Sequence, residues 1–375
     1  MKKILSALLA LLLIGSAMTM LASCGSGTYE IALITDKGNI DDKSFNQGAW
    51  EGVEEYAKEN KISHKYYKPE EASDAGYFAA IELAIAGGAK VVVTPGYLFE
   101  VAVYEAQAKY PDVKFILLDG APHTADYASY ETKTNTASIM YAEEESGYLA
   151  GYAAVKDGFT KLGFMGGMAV PAVQAFGYGY LQGVDAAAKE LGANVSVIYH
   201  YTGNFEENDT NKATAKTMYQ EGAEVIFACG GSVGKSVMAA AAEAGAKVIG
   251  VDVDQRYDSD TVITSATKGL GASVVAVLKS VYDGSFDTYG GKTTYFNATN
   301  DGVGLPTTVL DGSSKNAFDR FASFDQAAYE AVFAKLVDGS VDPIREISVA
   351  DAGGIATADE LTKGLGLSAV SVEVR

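Results

Sequence analysis

Two cysteines, three histidines and one tryptophan are all that this 375-residue chain has of the side chains most used for staples, metals and catalysis. Two thiols allow one disulfide at most, so stability must come from core burial. His64, His123 and His200 have no metal-ligand spacing to one another or to a cysteine, so no metal site is expected. Basic residues are scarce as well. The 29 Lys and Arg face 48 Asp and Glu, for a formal net charge of −19. Residues 1–23 hold two lysines and no acid, so the remainder carries 27 against 48, a net −21. Such a surface repels DNA, RNA and anionic headgroups, which excludes a nucleic-acid partner and a basic membrane patch.

A membrane-spanning run is missing too. Ile4 to Ile14, broken only by Ser6, is far short of the roughly 20 residues that a span needs. Preceded by Lys2 and Lys3, it reads instead as the apolar region of a signal peptide. It leads to Leu21-Ala22-Ser23-Cys24, which resembles the bacterial lipobox. Residues 1–23 are therefore expected to be removed and Cys24 to be acylated, with 24–28 as a tether. The membrane is met through the lipid anchor only, on its extracytoplasmic face. Cys229 follows the apolar run Val225–Ala228 and reads as a buried thiol, which leaves no disulfide. The ~350 residues that remain are too many for one core, so two domains are expected.

Strands alternate with helices along the rest of the chain. Tyr29–Thr35, Lys90–Thr94 and Val113–Leu118 are short runs rich in apolar, often β-branched residues, bounded by Gly, Pro or Asp. Such runs are typical of parallel strands buried on both faces. Ser44–Asn60, Ala75–Ala86 and Leu98–Lys109 between them are helix-like. The pattern repeats with Leu162–Met165, Val173–Leu191, Val195–Tyr199, Asn211–Glu221, Val225–Ala228, Val233–Ala244 and Val248–Val251. Two runs of this kind imply two α/β lobes. The first ends near Tyr141, and the helix Glu143–Asp157 opens the second. Val262–Ser265 and the helix Gly269–Asp283 read as a return to the first lobe, and the helix Phe324–Asp338 rejoins the second. The boundaries are set at 29–141 plus 266–290 for the N-terminal lobe and 142–265 plus 291–375 for the C-terminal lobe, with Val262–Ser265 leading into the return.

In open parallel sheets, ligands sit beyond the carboxyl ends of the strands. Asp36 and the loop to Phe45-Asn46 follow the first strand, Thr94-Pro95-Gly96 the next, and Asp119-Gly120 the third. In the second lobe Phe227 leads to Gly230-Gly231-Ser232, and Val251 to Asp252-Val253-Asp254. Polar side chains, a loop phenylalanine and glycine turns suit a small polar molecule with an aromatic ring.

The run Thr35 to Gln47, ending in Asp41-Asp42-Lys43-Ser44-Phe45-Asn46-Gln47, resembles the basic membrane protein family of bacterial lipoproteins. That family includes purine nucleoside receptors of ABC transporters. Further matching landmarks are Phe115–Asp119, Val225–Phe227 with Gly230-Gly231, Ile249–Gln255 and Thr264–Lys268. The resemblance implies a type I periplasmic-binding-protein fold, with two doubly wound parallel-sheet lobes joined by three hinge crossovers. It implies a nucleoside ligand, purine favoured, an ABC permease as partner, no cofactor and no enzymatic activity. A monomer is expected. Phe45 and Phe227, one per lobe, would sandwich the purine. Asp36, Asn46 and Asp119 would read the base edge. Asp252 or Asp254, with Lys268, would hold the ribose hydroxyls, and Gly230 would offer its backbone to the ligand.

Plainer roles compete at several positions. Phe227 lies in an apolar strand and suits a core. Phe45 could staple a helix N-terminus, Asp119 could cap the next segment, and Asp42 suits the dipole of the helix that begins near Ser44. Among other functions, Asp36, Asp41 and Asp42 approximate the calcium cluster of nucleoside hydrolases, but Ile34 stands where that cluster needs an acid. Cys229–Ser236 departs from a P-loop only at its first position, yet an exported protein meets little ATP. A sugar receptor on the same fold and a surface antigen complete the alternatives.

Overall fold

The computed structural model describes residues 28–310 and 316–375, so the expected signal peptide, Cys24 and all of the tether but Thr28 lie outside the described residues. Strands β1 (Ile31–Ile34), β2 (His64–Tyr67), β3 (Val91–Pro95), β4 (Lys114–Leu118), β5 (Thr136–Tyr141) and β11 (Lys292–Phe296) form the first sheet. Their order is β11-β5-β4-β3-β1-β2, and every pairing is parallel. The second sheet runs β12 (Val303–Gly304), β10 (Val262–Lys268), β9 (Lys247–Asp252), β8 (Val225–Cys229), β6 (Lys161–Gly166), β7 (Val195–Tyr201) and β13 (Val370–Val374). Only β12 is antiparallel to its neighbour. Both sheets carry the same doubly wound order, with the reversal between β1 and β3 in one lobe and between β6 and β8 in the other.

The central strands are apolar throughout because both of their faces are covered. In β1, Ile31 and Leu33 pack beneath α1 (Phe45–Asn60) and α8 (Leu270–Asp283). Ala32 and Ile34 meet α2 (Asp74–Ala86) and α3 (Glu100–Lys109) on the opposite face. The second sheet divides its strands in the same way. Val225, Phe227 and Cys229 of β8 face α4 (Glu143–Lys156) and α5 (Pro171–Leu191). Ile226 and Ala228 face α6 (Asp209–Gln220) and α7 (Val233–Ala244). Helices α9 (Gln326–Val337) and α10 (Ala358–Gly364) complete the second lobe.

Helices α4 and α5 touch backbone to backbone. A Cβ at Gly147 or Gly151 would collide with the carbonyls of Phe176 and Tyr180, and one at Gly179 or Gly183 with those of Glu144 and Tyr148. Only glycine permits that approach. It fixes Phe176 on α5 relative to Glu143 at the start of α4, and both border the interlobe cleft.

The chain crosses between lobes three times: between Tyr141 and Glu143, between Lys268 and Leu270, and between Phe296 and Val303. The expected boundary at 141/142 lies beside the first crossing. The return segment differs at both ends. Val262–Lys268 pairs with β9 and stays in the second sheet, whereas Lys292–Phe296 pairs with β5 in the first. Residues 266–268 therefore leave the expected first-lobe segment, and 292–296 join it. Among the described residues no helix is long and apolar enough to cross a membrane.

Candidate functional site

A cavity of about 560 Å³ lies between the lobes at the carboxyl ends of both sheets, within the ~300–1,000 Å³ usual for small-molecule sites. Its first-lobe wall begins with Asp36, two residues after β1. Asn46 commits both amide hydrogens, one to Asp36 Oδ1 and one to Asp42 Oδ2, each at 2.9 Å. Its own oxygen accepts from the Asp36 N–H at 3.2 Å. Gly38 N–H also donates to Asp36 Oδ1, at 2.8 Å. Asp36 Oδ2 is left facing Gly96 across the cavity wall, 3.5 Å from where a Cβ would stand. Burial raises the Asp36 pKa, against the pull of those donors. Asn46 thus aims Asp36 and has only one lone pair left for a ligand. Asp42 does what its position suggests: its carboxylate accepts from the N–H groups of Ser44, Asn46 and Gln47 at the start of α1.

The floor of the cavity is a buried charge cluster. Lys268 Nζ pairs with Asp119 Oδ2, lies 3.0 Å from Glu143 Oε1 and stands 4.0 Å from Asp252 Oδ1. The rings of Phe45, Tyr141 and Phe176 surround the ammonium at 4.9, 5.3 and 5.2 Å. Burial by itself would lower the lysine pKa, but Asp119, Glu143 and Asp252 outweigh it and raise it, so the ammonium is fixed. Burial pushes the Asp119 carboxyl up to about 7 despite Lys268 beside it, and also raises Asp252. Asp119 and Asp252 both end strands with left-handed backbone, at φ 53° and 65°. That conformation turns their carboxylates back over the cleft, and aspartate tolerates it better than most residues. Asp252 Oδ2 accepts from Ser44 Oγ of the other lobe at 2.5 Å. Asp119 Oδ1 is buried with no hydrogen-bond partner. An unsatisfied buried acceptor beside a fixed ammonium is what a ligand hydroxyl would complete.

Phe45 lines the cavity, but Phe227 does not. The Phe227 ring is 0% exposed and packs edge-on against Phe164 and Phe176, with centroids at 5.5 and 5.9 Å. The alternation of side chains along β8 turns it toward α5 and away from the strand end. Phe176 and Phe205 are the second lobe's aromatics in the cavity wall. Phe176 has the Lys268 ammonium and the Phe227 ring against it. Phe205, half-buried on the loop after β7, rests on Gly167, Gly230 and Gly231. Sequence reasoning passed over it. Reading the end of β7 as the other strand ends were read would have found it.

Asp254 is also absent from the cavity. It caps the turn at Gln255–Tyr257 and pairs with Arg256 at 2.6 Å. Asp252 is therefore the cleft-facing member of that pair. Gly230 lines the cavity, where a Cβ would meet Gly167 N at 2.7 Å. The glycine loop is no phosphate cradle. Lys235 Nζ donates to Asp41 O at 3.3 Å, and Ser236 Oγ to Asn208 O at 3.2 Å. Gly230–Gly234 also has the Gly-x-Ser-x-Gly spacing of a nucleophile elbow, which sequence reasoning likewise missed. Its Ser232 has ordinary helical backbone, φ −68° and ψ −8°. The histidine lining the cavity, His123, faces Thr124 O and Glu100 instead. The described residues hold no group of three or more His, Cys, Asp or Glu placed to bind a metal.

Residues 30–333 match the family model for PnrA-like ABC transporter substrate-binding proteins. The chain is 32% identical over 351 residues to the ABC transporter nucleoside-binding protein BmpA of Lactococcus lactis subsp. cremoris, covering 84% of this chain and 95% of that one. It is 32% identical over 256 residues to basic membrane protein A of Borreliella burgdorferi, covering 67% and 72%. Among solved structures, an ABC transporter solute-binding protein of Aeropyrum pernix superposes with a TM-score of 0.74 at 23% identity, covering 86% of this chain and 94% of that chain. That last likeness establishes the type I periplasmic-binding-protein fold. Cleft, topology and sequence agree: the chain belongs to the Bmp family of PnrA-like ABC transporter substrate-binding proteins, and its work is binding rather than catalysis.

Proposed function

We propose that the interlobe cleft captures a nucleoside, purine favoured, and that the chain hands it to an ABC permease while anchored through an acylated Cys24. The observation that carries this reading is the pairing of two kinds of surface in one cavity. Phe45 and Phe205, one from each lobe, offer flat faces for a base, which stack without directional partners. Asp119 Oδ1, Asp252 and Lys268 offer acceptors and a donor for a hydroxylated ring. Asp36 Oδ2 and the remaining lone pair of Asn46 stand where a base edge would be read. This leaves Phe227 and Asp254 without ligand roles. Each lobe supplies one face, so a ligand that bridges both favours the closed form.

Charge narrows the ligand class. Lys268 is already paired with carboxylates, and Arg345 with Glu143 and Glu144. Asp36, Asp42, Glu100 and Glu206 add acid to the same walls. Lys37 is the one lining cation without an ion-pair partner among the described residues, and the acids of these walls outnumber the cations. A phosphate entering here would meet net repulsion, so the free nucleoside is the cargo and its nucleotide is disfavoured.

Calorimetric titration with inosine, adenosine, guanosine, uridine, ribose and inosine monophosphate tests the reading. Heat with purine nucleosides and none with the monophosphate or ribose is expected. Binding of ribose alone would point to a sugar receptor, and silence toward every nucleoside would sink the ligand assignment. Nucleoside uptake by cells lacking the gene tests delivery, and release of a Cys24→Ser chain into the medium tests the anchor.

A further inference from the structure

The ammonium in the cleft is the first link of a longer ionic chain. Glu143 holds Lys268 through Oε1 at 3.0 Å, while its Oε2 lies 2.6 Å from Arg345 Nη1 as an ion pair without hydrogen-bond geometry. The same Nη1 lies 2.6 Å from Glu144 Oε2 and donates to the Tyr141 carbonyl at 2.7 Å. The Glu143 and Lys268 side chains are 1% and 2% exposed. Burial would raise the Glu143 pKa, but Lys268 and Arg345 together lower it, so this carboxylate stays ionised between two cations.

The positions of these residues in the fold give the chain its meaning. Glu143 opens α4 just after the first crossing, and Lys268 ends β10 just before the second. Arg345 comes from the segment after α9. Its neighbour Ile344 is held on α5 by two hydrogen bonds with Gln182, at 2.8 and 2.9 Å. Arg345 thus ties a fixed part of the second lobe to Tyr141, Glu143 and Glu144 at the first crossing. Lys268 reaches from the second crossing to Asp119 in the first lobe. Buried ion pairs seldom repay their desolvation as stability alone, since apolar replacements often do as well. What such a chain supplies is a fixed geometry.

We infer that Glu143 and Arg345 are positioning residues that couple ligand capture to lobe closure. Arg345 pins Glu143 at the first crossing, and Glu143 aims the Lys268 ammonium at Asp119 across the cleft. Ligand hydroxyls and interlobe angle are then read by one set of charges. This rests on Lys268 being a ligand-holding residue, as proposed above.

The test uses Glu143→Gln, Arg345→Met and Arg345→Lys in the full chain, with two readouts. One is purine nucleoside affinity. The other is the interlobe distance distribution from nitroxide labels on L83C and L191C, exposed positions on the first and second lobes. Glu143→Gln and Arg345→Met should weaken affinity by about tenfold or more, the lower end of what losing an outer partner costs a metal-site ligand. They should also broaden the distances without ligand, and Arg345→Lys should restore both in part. Affinities within twofold of the parent together with unchanged distances would overturn the inference, even if melting temperatures fall. If the parent chain binds no nucleoside, the ligand reading fails by itself, and the distance distributions still decide whether Glu143 and Arg345 set the interlobe angle.

Discussion

Replacing Phe45 with alanine removes one face of the proposed base site, along with a ring that packs partly on the first-lobe core. The ring is half-buried, lines the cavity and has the Lys268 ammonium 4.9 Å from its centroid. Stacking of a base on an aromatic side chain contributes about 1–3 kcal/mol by alanine substitution. The cation–π contact adds little to this difference, because Lys268 keeps its carboxylate partners in the variant. At about 1.4 kcal/mol per tenfold, the nucleoside Kd should rise roughly 5- to 150-fold. Folding should suffer less than the ~3–5 kcal/mol of a fully buried Phe→Ala change, because this ring already faces the cavity. Calorimetry gives the affinity and a denaturant melt gives the stability. Phe205→Ala should behave alike, and Phe45→Trp should retain binding. A folded Phe45→Ala chain whose Kd stays within about twofold of the parent would refute the stacking role.

Other outcomes follow from the same geometry. Phe227→Ala should cost about 3–5 kcal/mol in a denaturant melt yet leave the affinity of the folded fraction unchanged, because its ring is core; a selective loss of affinity would restore it to the site. Asp42→Ala should cost about 0.5–2 kcal/mol as a lost helix cap, read by thermal melting. Burial pushes Glu144 up to about 7 in the folded chain and raises Asp119 as well, above ordinary carboxylates. The folded state therefore binds these protons more tightly than the unfolded state, and stability is lost as pH rises through 7. Unliganded stability should fall by about 1–3 kcal/mol between pH 6 and 8, and a flat or rising profile in denaturant titrations would contradict the burial of these groups.

Much of the fold was legible because it rests on local pattern. Buried parallel strands must be apolar on both faces, so β1, β3, β4, β8 and β9 stand out as short runs ended by polar or glycine residues. Strand β2, His64–Tyr67, shows no such run because it is a polar edge with exposed residues. β11 and β13 mix exposed with at most partly covered positions along most of their length at the ends of their sheets, and their pairing is decided by distant partners. For the same reason the sequence does not locate the return to the first lobe: Val262–Lys268 and Lys292–Phe296 reveal their sheets only through their neighbours.

The candidate site divides along similar lines. Asp36, Phe45, Asn46, Asp119, Gly230, Asp252 and Lys268 line the cavity because strand ends dictate where a cleft must be. Phe227 lies outside the cavity wall, because proximity to a strand end does not say which face a side chain takes. Asp254, the alternative to Asp252, is taken up by its Arg256 partner instead. Phe205 lies on a loop without periodicity. Arg345 lies about 200 residues from Glu143 in sequence, and no local signal joins them.

The most direct test of the account is a crystal structure of the chain grown with a purine nucleoside. The base should lie between the rings of Phe45 and Phe205, with the ribose hydroxyls on Asp119 Oδ1, Asp252 and Lys268. A nucleoside bound elsewhere, or one in the cleft with its base untouched by either ring, would contradict it.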